Sequence, residues 1–127
     1  MKITLTSVLV DDHDKALHFY TEMLGFVTKT DLPVGDLKWL TVVSPDEPGD
    51  IELLLEPNAN PAAKMYQAAL FAQGIPVTSF VVDDIHHEYA RLRTRRVIFR
   101  FEPTAMGPVT VAVFEDTCAN LIQLAQG

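Results

Sequence analysis

A chain of 127 residues with 48% hydrophobic and 21% charged side chains is long enough to bury a core and is expected to form one soluble domain. A net charge of −7 and a pI near 4.9 argue against nucleic acid or an anionic membrane as partner, and no apolar run approaches the roughly 20 residues of a membrane span. The single Cys118 excludes an intrachain disulfide and any multi-cysteine metal site, and the alternating start "MKITLTSVLV" is unlike a signal peptide, so a cytoplasmic location is expected.

After that first strand-like run comes "DDHDKALHFYTEMLGF", Asp11 to Phe26, in which two of the four histidines and three aspartates fall within eight residues. At about 100° per residue, Ala16, Leu17, Phe19, Tyr20, Met23 and Leu24 share one arc. Asp14, Lys15, His18, Thr21 and Glu22 fill the other. The segment therefore reads as an amphipathic helix beginning near Asp14, capped by Asp12 or Asp14 and closed by Gly25 and Phe26. His18 faces water. His13 lies about 140° from it around the helix, so the two imidazoles cannot share an ion on one helix face. Both are expected on the solvated side.

Three strand-like runs follow: Phe26 to Asp31, Leu37 to Ser44 and Asp50 to Glu56, separated by the turn-forming "LPVGD" and "SPDEPGD". "PNANPAAKMYQAALFAQGIP" holds a linker and a helix from about Ala62 to Gln73, stopped by Gly74 and Pro76. A second helix-forming stretch begins near Asp84. Its stripe is Ile85, Tyr89 and Leu92, with His86 and His87 on the surface. The basic run "RLRTRR" suits a helix C-terminus. Strand-like runs Val97 to Glu102, Val109 to Phe114 and Leu121 to Ala125 close the chain, with "EPTAMGP" as a turn.

The two stretches share a plan. "VLVDD" (Val8 to Asp12) recurs as "FVVDD" (Phe80 to Asp84), and each is followed by a helix and three strands. Each half reads βαβββ. The expected organisation is one domain, with module one at about 1–57, linker and helix at about 58–75 and module two at about 76–127.

"VLVDDHDKALHFYTEMLGF", "FVVDDIHHEYARLRTRRVIF" and "VFEDTCANLIQLAQ" together resemble the vicinal oxygen chelate superfamily of glyoxalase I, bleomycin-resistance proteins and extradiol dioxygenases. The last of these resembles that family's Asp–Gly–Asn turn. The resemblance implies an α+β fold of two βαβββ modules in tandem, whose curved mixed sheets form a cup around a small molecule, and a homodimer. Active members hold one divalent cation with side chains from the first and last strands of each module. Carried across, those positions are Leu5, Glu52, Val77 and Gln123. The two histidine positions are thus apolar, leaving one carboxylate and one amide. A catalytic metal site needs about three such ligands from His, Cys or carboxylate. No cofactor is expected beyond, at most, a weakly bound divalent ion. Metal-dependent glyoxalase or dioxygenase chemistry is disfavoured.

Strand alternation puts Leu5 with Ser7, Val77 with Ser79, Glu52 with Leu54 and Leu121 with Gln123. With the family's geometry, these side chains line the cup, a mostly apolar pocket with a few polar groups. Trp39 is a flat wall for it or a core aromatic. Glu52, desolvated there, suits a general acid or base or a counter-ion, or else is a structural partner of Gln123 or Arg100. Arg100 turned inward would select an anionic ligand, but Phe99 and Phe101 compete for the core side. Two functions fit. The first is a metal-free binding protein for a small, partly aromatic molecule, with the acidic balance suiting a cationic guest. The alternative is a lyase/isomerase-type or dioxygenase-like enzyme with Glu52 as general base.

Overall fold

Helical phase and strand alternation can be followed directly in a computed structural model, which describes residues 1–46 and 51–127. The elements are β1 (Leu5–Val10), α1 (His13–His18) running into a π-helical turn (Phe19–Met23), β2 (Val27–Val34), β3 (Leu37–Val43), β4 (Glu52–Pro57), α2 (Pro61–Gln73), β5 (Thr78–Val81), α3 (Ile85–Thr94), β6 (Phe99–Met106), β7 (Val109–Glu115) and β8 (Leu121–Gln126). They build two four-stranded mixed sheets of the same plan, ordered β1-β4-β3-β2 and β5-β8-β7-β6. In each, the first and last strands of a βαβββ module pair in parallel, and the other neighbours are antiparallel. This is the expected tandem α+β fold. The chain divides into two units, Met1–Met65 and Tyr66–Gly127, with the boundary inside α2.

In the first unit α1 packs against β4. The side chains between them are apolar: Val8, Val10 and Leu55 from the sheet, with Ala16, Phe19 and Tyr20 from the helical segment, all buried. Asp12 caps α1 by accepting the Lys15 N–H at 2.9 Å. In the second unit α3 packs on β6, β7 and β8, burying Ile85 and Leu92 against a sheet side that includes Phe114, Ile122 and Leu124. Asp84 caps α3 in the same way, through the His87 N–H at 3.1 Å. Tyr89, Phe99 and Phe114 stack in sequence there, with centroids 4.7 and 5.6 Å apart. Among the described residues no helix is long and apolar enough to cross a membrane.

Four local expectations need correction. The first helix is not one α-helix. After His18 it widens, with the Leu24 N–H reaching the Phe19 carbonyl at 3.1 Å. The Thr21 hydroxyl donates to the Leu17 carbonyl at 2.6 Å and so competes within the helix ladder. His13 is not an outward bystander: it is half-buried, with Nε2 3.1 Å from the Leu55 carbonyl oxygen. His18, His86 and His87 are exposed as expected. The stretches "LPVGD" and "EPTAMGP" are mostly strand, because β2 runs to Val34 and β6 to Met106. The turns shrink to Gly35–Asp36 and Gly107–Pro108, where both glycines have positive φ, 62° and 61°. Pro33 and Pro103 misled the sequence reading. Both lie on edge strands, where a missing N–H removes no necessary ladder bond. Asp50, the expected start of β4, and much of "SPDEPGD" lie outside the described residues.

Candidate functional site

Register decides which side chains meet. In the first sheet Leu5 pairs with Glu52 and Ser7 with Leu54, so these four share one sheet face. Val8 and Leu55 share the other, towards α1. Thr41 pairs with Leu54 and therefore joins the first face, as does Trp39 two residues along β3. Trp39 is 41% exposed and lies opposite Leu32, with Leu37 opposite Val34 in the next same-face pair. The result is a face with apolar side chains open to solvent around one carboxylate.

Glu52 is not isolated there. The buried Thr41 hydroxyl donates to its Oε1 at 2.8 Å. The Lys29 ammonium stands 3.9 Å from its Oε2, outside hydrogen-bond reach, and the two side chains are 43% and 28% exposed. Lys29 occupies the break in register between Thr28 and Thr30, where one residue of β2 has no partner on β3.

The second sheet carries a different polar pair. Gln123 pairs with Ser79, not with Val77, and its Nε2 donates to the Ser79 hydroxyl at 3.1 Å. Val77 lies just before β5, its N–H bonded to the Leu121 carbonyl at 2.9 Å. On the Gln123 face follow Val113 and Phe101, paired in turn across β7 and β6. Arg100 sits at the register break between Phe99 and Phe101. Its Nε donates to Glu115 Oε2 at 2.8 Å and its guanidinium lies 4.8 Å over the Phe71 ring. Glu52 is thus partnered by Thr41 and Lys29, and Arg100 by Glu115 and Phe71.

Sequence reading missed Lys29 and Thr41. A signal for Lys29 was present: it precedes Arg100 by the same seventy-one positions that separate Glu52 from Gln123. Thr41 was within reach of the alternation that linked it to Trp39.

A second polar cluster closes the β7–β8 connection. Asp116 Oδ1 accepts the N–H groups of Cys118 and Asn120 at 2.8 and 3.0 Å, and Asp116 Oδ2 accepts Asn120 Nδ2 at 2.7 Å. Gln67 of α2 donates to the Cys118 carbonyl at 2.7 Å and to Asn120 Oδ1 at 3.0 Å. All four residues are buried. Thr117 and Ala119 take positive φ values of 72° and 62° to make the turn.

The donor set at Glu52 does not fit a divalent cation. Its parallel-strand neighbour is the aliphatic Leu5, and the nearest charge is an ammonium. Among the described residues no three His, Cys, Asp or Glu side chains gather where an ion could be held.

The chain is similar to known proteins over nearly its whole length. The family model of the Glyoxalase/Bleomycin resistance protein/Dioxygenase superfamily matches residues 2–124. Uncharacterized protein YurT of Bacillus subtilis (strain 168) is 57% identical over 126 residues, 99% of both chains. Among solved structures, UcmS2 is 34% identical with a TM-score of 0.85, covering 98% of this chain and 97% of that one. TnmS3, an antibiotic binding protein from Streptomyces sp. CB03234, is 27% identical with a TM-score of 0.76, covering 99% and 95%.

Proposed function

Because the chain belongs to the Glyoxalase/Bleomycin resistance protein/Dioxygenase superfamily, we propose that it binds a small, partly aromatic molecule without a metal ion. The observation that carries this reading is the face of the first sheet on which Trp39 and Leu5, both exposed, share a side with the Thr41-bonded carboxylate of Glu52. Exposed apolar surface rimmed by a few oriented polar groups is the usual profile of a small-molecule site. The 27% identity to an antibiotic binding protein supports the same class of function.

In this proposal Trp39 offers a flat ring, Leu5 an aliphatic wall, and Ser7 and Glu52 polar contacts. On the second sheet Ser79 and Gln123 supply a joined hydroxyl and amide beside Val77, and Arg100 a guanidinium already oriented by Glu115. The sheets leave β1, β2, β5 and β6 as edges, and a second copy of the chain pairing with them makes a homodimer the expected assembly. The expected location is the cytoplasm.

The test is a titration of small aromatic compounds of both charges against the full chain, read by Trp39 fluorescence and by thermal shift. Trp39 is the only tryptophan, so the signal reports this face alone. Saturable quenching with a rise in melting temperature is expected, since a ligand of the native state stabilises it by mass action. No response in either readout across the panel would overturn the reading.

A further inference from the structure

The Lys29–Glu52 pair has a geometry that sorts ligands by charge. Thr41 holds Glu52 by Oε1, which leaves Oε2 directed towards Lys29 across a 3.9 Å gap. That gap is too long for a hydrogen bond and short enough for one polar group to bridge. Both ends are partly exposed; Glu52 is held by a buried hydroxyl, and Lys29 rises from the register break of β2. The equivalent cation of the second sheet, Arg100, is already hydrogen-bonded to Glu115 at 2.8 Å and lies over the Phe71 ring. Of these two pairs, the one in the first sheet is the one whose ions stand beyond direct hydrogen-bond distance.

We propose that Lys29 and Glu52 together form the recognition element for an uncharged aromatic ligand that carries a hydrogen-bond donor next to an acceptor, such as a primary carboxamide. The donor gives its hydrogen to Glu52 Oε2 and the acceptor takes one from Lys29 Nζ, with no proton transferred. The ring then extends over the apolar side chains of the same face. A cationic guest meets the Lys29 ammonium at the same carboxylate, and an anionic guest meets Glu52 at the same ammonium. Each loses on one side what it gains on the other. The overall charge of −7 therefore does not set the preference at this site. The inference rests on the small-molecule reading above and adds the class of ligand.

Calorimetric titration of the full chain with four matched naphthalenes tests it: a primary naphthamide, acetonaphthone, naphthylmethylammonium and naphthoate. The naphthamide is expected to bind at least about tenfold more tightly than the other three, since two charge-assisted hydrogen bonds are at stake. Lys29→Met and Glu52→Gln are each expected to remove most of that advantage. Both sites are on the surface of the sheet, and circular dichroism confirms folding of the variants. Equal affinities across the four probes, or a preference untouched by Lys29→Met, would overturn the inference and leave the small-molecule reading standing. Absence of any binding would overturn both.

Discussion

Lys29 and Arg100 hold the same place in two sheets: each fills the register break between an edge strand and its neighbour, one in β2 and one in β6. Their partners differ because the last strands differ. Register with the first strands matches Gln123, beside Ser79, to Leu54, beside Ser7, so the place of Glu52 falls to the apolar Leu121. Arg100, without a carboxylate on β8, pairs instead with Glu115 on β7. A leucine in the place of the acid thus accompanies the change from a 3.9 Å ion pair to a 2.8 Å one.

Glu52→Gln is expected to leave stability within about 1 kcal/mol of the parent, because the amide oxygen can still accept from Thr41 and a partly exposed ion pair is screened. Ligand affinity should fall roughly ten- to a hundredfold, a charge-assisted hydrogen bond being worth about 1.5–3 kcal/mol. Urea denaturation and a parallel binding titration measure the two effects. A large loss of stability with unchanged affinity would make Glu52 scaffold.

Thr41→Val has the opposite profile in the unliganded protein. It keeps the shape of a fully buried side chain and deletes the only described donor to Glu52 Oε1. A cost of about 1 kcal/mol is expected in denaturant, with weaker ligand selectivity because the carboxylate loses its fixed orientation. Stability unchanged within error would show that Thr41 does not hold Glu52 in solution.

Asp116→Ala should be among the most destabilising single changes in the second unit. It removes the carboxylate that accepts from the N–H groups of Cys118 and Asn120 and from the Asn120 amide in a buried turn. Each orphaned donor costs roughly 1–3 kcal/mol, so a total above about 3 kcal/mol is expected from chemical denaturation. Gln67→Leu leaves the Cys118 carbonyl and Asn120 Oδ1 without this donor and should cost less, about 1–2 kcal/mol.

The same turn holds non-glycine residues in left-handed backbone. Thr117 at φ 72° is β-branched and Ala119 at φ 62° stands where the resembling family has glycine. Thr117→Gly and Ala119→Gly are each expected to raise stability by about 0.5–1 kcal/mol, as relief of strain outweighs the added freedom of the unfolded chain. A lower melting temperature in both would count against this reading of the turn.

Light scattering at micromolar concentration is expected to give twice the 14.1 kDa chain mass. Lysine substitutions on the edge strands should shift it towards monomer. A monomer for the parent chain would contradict the proposed dimer.

Short-range physics was legible in the residues themselves. The 3.6-residue period marked the buried side of α1 and α3, the capping aspartates marked their starts, and the recurrence of "VLVDD" as "FVVDD" announced two modules of one plan. Alternation put Leu5 with Ser7 and Glu52 with Leu54, because side chains of a strand have a period of two whatever the neighbours do, and the family resemblance implied that the two pairs share a face, as they do. What alternation cannot carry is register between strands. That Gln123 meets Ser79 and not Val77, that His13 reaches the Leu55 carbonyl, and that Lys29 leans to Glu52 while Arg100 turns to Glu115 were decided only by tertiary pairing. These contacts join residues far apart in the chain, and bulges at Lys29 and Arg100 shift the pairing locally. A one-residue slip at a bulge moves every later side chain to the other face, and no local rule sums to that choice.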